Sequence, residues 1–156
     1  MPVRVRTATE EDARWFAPRL RAADAAELLA VRSAPLVDQL IDCVRSSRGA
    51  AFVAVSKNLG AISLFGFAPH GLLSDKIAPW AVGTPELSRR GRALCLIGRE
   101  FCGKALERGT RLENFVDVRN TASVRWLESI GFAFDEAAPY GCEGRPFKRF
   151  WMDRHV

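Results

Sequence analysis

Histidine, tyrosine and paired cysteine are what this chain has least of: two histidines, one tyrosine and four cysteines in 156 residues. Cys43, Cys95, Cys102 and Cys142 form no C-x-x-C pair, and His70 and His155 are the only imidazoles, so no metal site is expected. Cys95 and Cys102 fall on one predicted helix, seven residues and so about 10 Å apart, too far for a disulfide. The thiols are expected to be reduced and largely buried. No apolar run approaches the roughly 20 residues of a membrane span. The opening MPVRVRTATEEDA holds no apolar stretch of the kind that marks a secretory leader, so a cytosolic protein is expected.

Runs of one charge are missing as well. The 23 Lys and Arg are dispersed, and their excess over 18 Asp and Glu gives a net charge of +5. That balance admits an anionic partner without selecting one, and sequence-specific nucleic-acid binding is not expected. No repeat, linker or low-complexity segment interrupts residues 1–156, a length suited to one domain around one core.

What is present is alternation and helical periodicity. Val3–Thr7 alternates as a half-buried strand does. Helices are predicted from Thr9, in capping-box spacing with Asp12, to Pro18; from Asp24; and over 33–47, with Ser33 as N-cap and Pro35 in the first turn. AAFVAVS and AISLFGFAP flank KNLG as a hairpin. A further strand follows over 76–84, in which Pro79 marks an edge or irregular position. One long helix is predicted from Pro85 to Arg108 and closed by Gly109. A strand over 111–119, a helix over 120–130 and strands over 131–137 and 145–153 complete the chain. This order predicts a single α/β (α+β) domain with a sheet covered by helices.

The stretch NTASVRWLESIGF reads as a strand–helix–strand corner. Asn120 is the N-cap, Val124, Leu127 and Ile130 face the sheet, and Gly131 is the left-handed terminator. With its surroundings it resembles the GNAT N-acetyltransferase superfamily, whose members close a cofactor site with an Asn-capped helix ending in Gly-Phe. The resemblance extends to the opening VRVRTATEEDA and implies a GNAT-like fold, a mixed twisted central sheet with helices on both faces. It also implies a cofactor, acetyl-CoA or CoA, held by Trp80, Val82, Arg89, Arg90, Gly91, Arg92, Ala93 and Asn120. SRRGRA, from Ser88 to Ala93, stands at the family's phosphate loop, with Gly91 and Ala93 in pattern and Ser88 out of it. Its three arginines oppose a helix dipole unless an anion or Glu86 compensates, and so read either as an anion site or as a solvated basic face. The family's general-acid tyrosine position is Leu127, which has no proton to donate.

The segments LRAADAAELL, WAVGTPELSRRGRA, NFVDVRNTASVRWLESIGF and FKRFWM also resemble GNAT-like proteins of short-tailed bacteriophages, the internal virion protein A family. That resemblance implies a role in virion assembly through contacts with portal, tail or internal proteins, without acetyl transfer. It places the protein in the host cytoplasm during assembly and in the virion, with oligomerisation open. The alternative is an acetyl-CoA-dependent N-acyltransferase of undefined amine.

Other residues carry two readings. Asp24 and Glu27 are either an acidic pair at the mouth of the sheet, as general base or substrate anchor, or a helix cap paired with Arg21 and Arg32. Glu113 and Asp117 share a strand whose faces the pattern does not assign. Tyr140 falls in a loop, His70 in an exposed loop and His155 at the terminus. The four tryptophans read as core or interface aromatics, Trp80 lying at the end of the strand that would cradle a cofactor. RPFKRFWMD has large apolar groups on both faces, as a strand covered on each side or in contact with another subunit would.

Overall fold

The computed structural model describes residues 3–154. The elements are β1 (Val3–Thr7), α1 (Glu10–Phe16), α2 (Ala22–Val31), α3 (Leu36–Ser46), β2 (Ala51–Ser56), β3 (Gly60–Pro69) and β4 (Lys76–Gly83). They continue with α4 (Gly91–Ala105), β5 (Arg111–Asp117), α5 (Thr121–Ile130), β6 (Ala133–Phe134), β7 (Ala138–Tyr140) and β8 (Arg145–Asp153). His155 lies outside the described residues.

Local chemistry sets most of these boundaries. The Thr9 N–H donates to Asp12 at 2.8 Å, closing the predicted start of α1. Pro18 follows that helix in a 3-10 turn, Ala17–Arg19. Gly131 takes φ +117°, and its N–H reaches back to the Leu127 and Glu128 carbonyls, ending α5 where the sequence says it should. Three expectations are corrected. The helix predicted over Pro85–Arg108 is a 3-10 segment, Pro85–Arg90, followed by α4, which stops at Ala105. Gly109 therefore caps nothing; a Cβ there would lie 2.5 Å from the Asp75 carbonyl, so it is a point of close backbone approach. The N-cap of α3 is Pro35, not Ser33.

The strands form one sheet in the order β1-β2-β3-β4-β5-β8-β6, with β7 added on β8; only β4 and β5 are parallel. The strand predicted over 131–137 shrinks to Ala133–Phe134, and β7 is an addition that periodicity did not reveal. Each face buries its own core. Leu94, Cys102, Leu112, Val116, Leu127, Ile130 and Phe150 pack under α4 and α5. Phe16, Leu40, Val44, Val53, Leu64 and Val82 pack under α1 and α3. β8 lies inside the sheet between β5 and β6, with Phe147 and Phe150 both buried, which accounts for its two apolar faces. Among the described residues no helix is long and apolar enough to cross a membrane.

β4 and β5 pair only through Lys76–Arg111 and Ile77–Leu112, then diverge. At the point of divergence a side chain replaces the missing rung. Asn114 Nδ2 donates to the Pro79 carbonyl at 2.8 Å, while Asn114 Oδ1 accepts the Phe115 N–H at 2.8 Å. Pro79 suits this place because its main chain faces the opening, where a missing N–H breaks no ladder. Asn114→Ala orphans both groups and is expected to cost about 1–3 kcal/mol in urea unfolding, with Asn114→Asp recovering less than half of the loss.

Candidate functional site

Main-chain groups on alternate residues of a strand point to the same edge. Pro79, Ala81 and Gly83 of β4 thus face the fork from one side, and Glu113, Phe115 and Asp117 of β5 from the other. Several of these groups are met from outside the β4–β5 ladder. His70 Nε2 lies 3.1 Å from the Glu113 carbonyl, near the closed end. At the open end, the Gly83 N–H donates to Asp24 Oδ2 at 2.8 Å, and the Gly83 carbonyl accepts the Arg21 N–H at 2.8 Å. Across the fork, the Asp117 N–H donates to Glu27 Oε1 at 3.0 Å. Asp24 and Glu27, one turn apart on α2, therefore grip the two arms separately.

Asn120 ties the grips together. Its Nδ2 reaches Asp24 Oδ1 at 3.0 Å and Glu27 Oε1 at 3.4 Å, and its Oδ1 accepts from Arg21 Nη2 at 3.3 Å. It precedes α5 as predicted, but its side chain makes no capping bond; the motif asparagine is spent on the acids instead. Arg21 lies 3.3 Å from Asp24, whereas Arg32, the other expected partner, pairs with Asp42. Both readings of the acidic pair thus meet in one cluster: an arginine-paired Asp24, 4% exposed, beside a Glu27 that forms no ion pair within 4 Å among the described residues.

The electrostatics differ accordingly. Burial pushes the Glu27 carboxyl up to about 7, the Asp117 N–H opposing this and the charge on Asp24 adding to it. Asp24 is also raised by burial, against the pull of Arg21 and its hydrogen bonds. For Asp117 burial pushes up, but hydrogen bonds from Arg119 outweigh it and hold the carboxyl below its ordinary value. Glu113, the remaining acid of β5, is shared by Arg111 and Arg149. A value of about 7 lets Glu27 exchange a proton near neutral pH. Burial likewise raises the Cys43 and Cys102 thiols to about 11 and 12, leaving both unreactive.

Apart from Asn120, which is bound to the acids, the residues expected to hold a cofactor fall into two groups. Trp80 and Val82 turn to the α1–α3 face, where Val82 joins the core and the Trp80 indole donates to Ser47 Oγ at 2.8 Å. By the same alternation their main chain faces β3, so neither residue reaches the fork. The second group surrounds the start of α4. Gly91 opens the helix, its first turn has no acid, and no side chain caps it, so its leading N–H groups remain available. Arg89 pairs with Glu86 at 3.1 Å and Arg92 is exposed, while Ala93 is core. Among the described residues the Arg90 side chain bonds the Arg89 carbonyl alone, and its Nε is buried without a partner. That orphaned donor beside uncapped N–H groups suits a phosphate.

Leu127 is buried under the sheet at 7% exposure and offers no proton. Tyr140, which the sequence left unplaced, stacks on Phe115 at 4.0 Å between centroids, and burial raises its phenol. Its turn docks on the end of α2, where the Cys142 N–H donates to the Val31 carbonyl at 3.0 Å. β5, α2 and β7 therefore enclose the far side of the fork. Nothing in the periodicity of a three-residue strand announces this; the one signal was that the chain holds a single tyrosine.

A raised carboxyl costs the folded state nothing while protonated. The cost begins above the ordinary value of 4.5 and is complete above about 7. Glu27→Gln keeps an oxygen for Asp117 and is expected to stabilise the chain by on the order of 1–3 kcal/mol at pH 8 and by clearly less at pH 5. Urea unfolding at the two pH values checks this, and an equal effect at both would contradict the raised value.

Neither a protein-family profile nor a curated protein matches this chain in sequence. Solved structures do match in shape. Ard1 from Thermoplasma volcanium superposes with a TM-score of 0.75 at 13% identity over 100% of both chains. A Vibrio cholerae spermidine N-acetyltransferase variant superposes at 0.69 with 17% identity, over 97% of this chain and 94% of that one. The same enzyme with CoA and spermine gives 0.67 at 15% identity, over 97% and 95%. At such identities the likeness establishes the fold alone: this chain adopts a GNAT-like α/β fold.

Proposed function

We propose that this chain is an acyl-CoA-dependent N-acyltransferase acting on an amine. The observation that carries the reading is Glu27, a half-buried carboxyl raised to about 7, at the open end of a split sheet whose next helix begins uncapped and basic. An acyl-CoA would supply an activated thioester. The N-terminus of α4 and Arg90 would hold its phosphates, and the main chain of Ala81 would face its arm along the β4 edge. The solved relatives include spermidine N-acetyltransferases and a CoA complex, which agrees with this chemistry.

Two roles fall to the chain's own side chains. Glu27 takes the proton of an incoming ammonium, since a carboxyl near 7 is partly ionised at physiological pH and regains a proton readily. Asp24 and Asn120 hold Glu27 and the Gly83 amide in place, so the amine and the carbonyl it attacks meet in a fixed orientation. With Leu127 in the tyrosine position, the departing sulfur takes its proton from solvent. The virion-assembly role implied by the bacteriophage resemblance has no structural feature in its favour, so the acyltransferase reading is preferred.

Acetyl-CoA is expected to raise Tm with increasing concentration, and Arg90→Glu to abolish the rise. Glu27→Gln should keep the Tm rise while slowing CoA release with a panel of amines by about 10²–10⁴-fold. No Tm response combined with no CoA release would overturn the reading. Co-purification with portal or tail proteins would then favour assembly.

A further inference from the structure

Away from the fork, a hollow of about 430 Å³ lies between the α1–α2 connection, the β2–β3 turn and the segment after β4. Its volume is within the range of small-molecule sites. Trp15, Leu20, Leu59 and Pro85 form most of an apolar wall. Trp15 is 40% exposed, the most exposed aromatic side chain among the described residues.

The polar members are unevenly satisfied. Arg19 lies 4.4 Å over the Trp15 ring and spends one donor, Nη1, on the Trp15 carbonyl at 2.6 Å. It has no carboxylate partner among the described residues, so most of its five N–H groups remain for a ligand. Glu86, the carboxylate in the wall, is engaged by Arg89 at 3.1 Å. Thr84, only 6% exposed, also lines the hollow, and its Oγ1 is buried without a hydrogen-bond partner. A second hollow along α1 shares Trp15 and Ala61, but its charges are already matched, Arg6 with Asp12 at 2.8 Å and Arg14 with Glu11 at 2.6 Å. Of the two hollows, the first alone holds unmet capacity, in the Arg19 guanidinium and the Thr84 hydroxyl.

We propose that this hollow is a second ligand site, for a small carboxylic acid with a planar apolar body. The carboxylate meets the Arg19 guanidinium and accepts the Thr84 hydroxyl proton, while the apolar body lies against Trp15, Leu20 and Leu59. An amine of the same shape would face Arg19 and be rejected. The site stands independently of the acyl-transfer reading, although Leu20 and Thr84 adjoin Arg21 and Gly83, which are bonded to each other at the fork.

Phenylacetate is a suitable probe, with the tryptophan indole N–H signals of the intact chain read by ¹⁵N NMR and Trp15 assigned through Trp15→Phe. A saturating shift of the Trp15 signal is expected. Arg19→Gln, on the surface and of similar length, should weaken binding about tenfold, and Thr84→Val about threefold or more. Phenethylamine should produce no saturating shift. The proposal falls if the Trp15 signal does not saturate, if Arg19→Gln binds phenylacetate as tightly as the parent, or if Trp80 or Trp126 responds instead.

Discussion

Two parallel strands that share only two rungs leave main-chain groups without ladder partners, and a buried amide or carbonyl without a partner costs free energy. The rest of this structure depends on how that deficit is met. Asn114 supplies an amide where β4 and β5 separate, and Asp24, Glu27 and the Arg21 N–H meet the groups at the open end. Each arm of the fork is thus held by a side chain, and the space between arms is kept without being closed by pairing.

The means of holding the fork open also gives it chemistry. Carboxylates suit Gly83 and Asp117 as acceptors, but two of them one turn apart in a dry environment cannot both carry charge cheaply. Arg21 stands beside Asp24, and Glu27, without such a partner, is left to titrate near neutrality. Glu27 is thus at once a structural clasp for the Asp117 N–H and a carboxyl raised to about 7. Leu127 packs in the core under α4 and α5 and takes no part in this cluster.

Much of the fold was legible because its determinants are local. Alternation in VRVRT, the Thr9–Asp12 start, Pro18 and the left-handed Gly131 act within a few residues of where they stand, and each did what its chemistry predicts. The long helix over 85–108 was misread because helical periodicity runs through Pro85–Arg90, while the chain must turn tightly there from the end of β4 onto the sheet face. β7 escaped because three residues carry no periodicity of their own. Asn120 was placed correctly and its task misassigned: a capping residue is recognised by position, but whether its side chain caps depends on acids nearly a hundred residues away.

By itself the sequence determined most of the segments that become helices and strands, that Leu127 has no proton to give, and that a basic stretch follows β4. It also brought Asp24 and Glu27 into view as a pair, since both lie one turn apart on one short helix. Only the tertiary structure decided that the pair spans two strand ends, that Arg21 takes one acid and Arg32 neither, and that burial raises Glu27. The reason is physical: propensity and capping act over one or two turns, whereas a carboxyl's charge state is set by everything packed around it, drawn here from β4, β5, α2 and the start of α5.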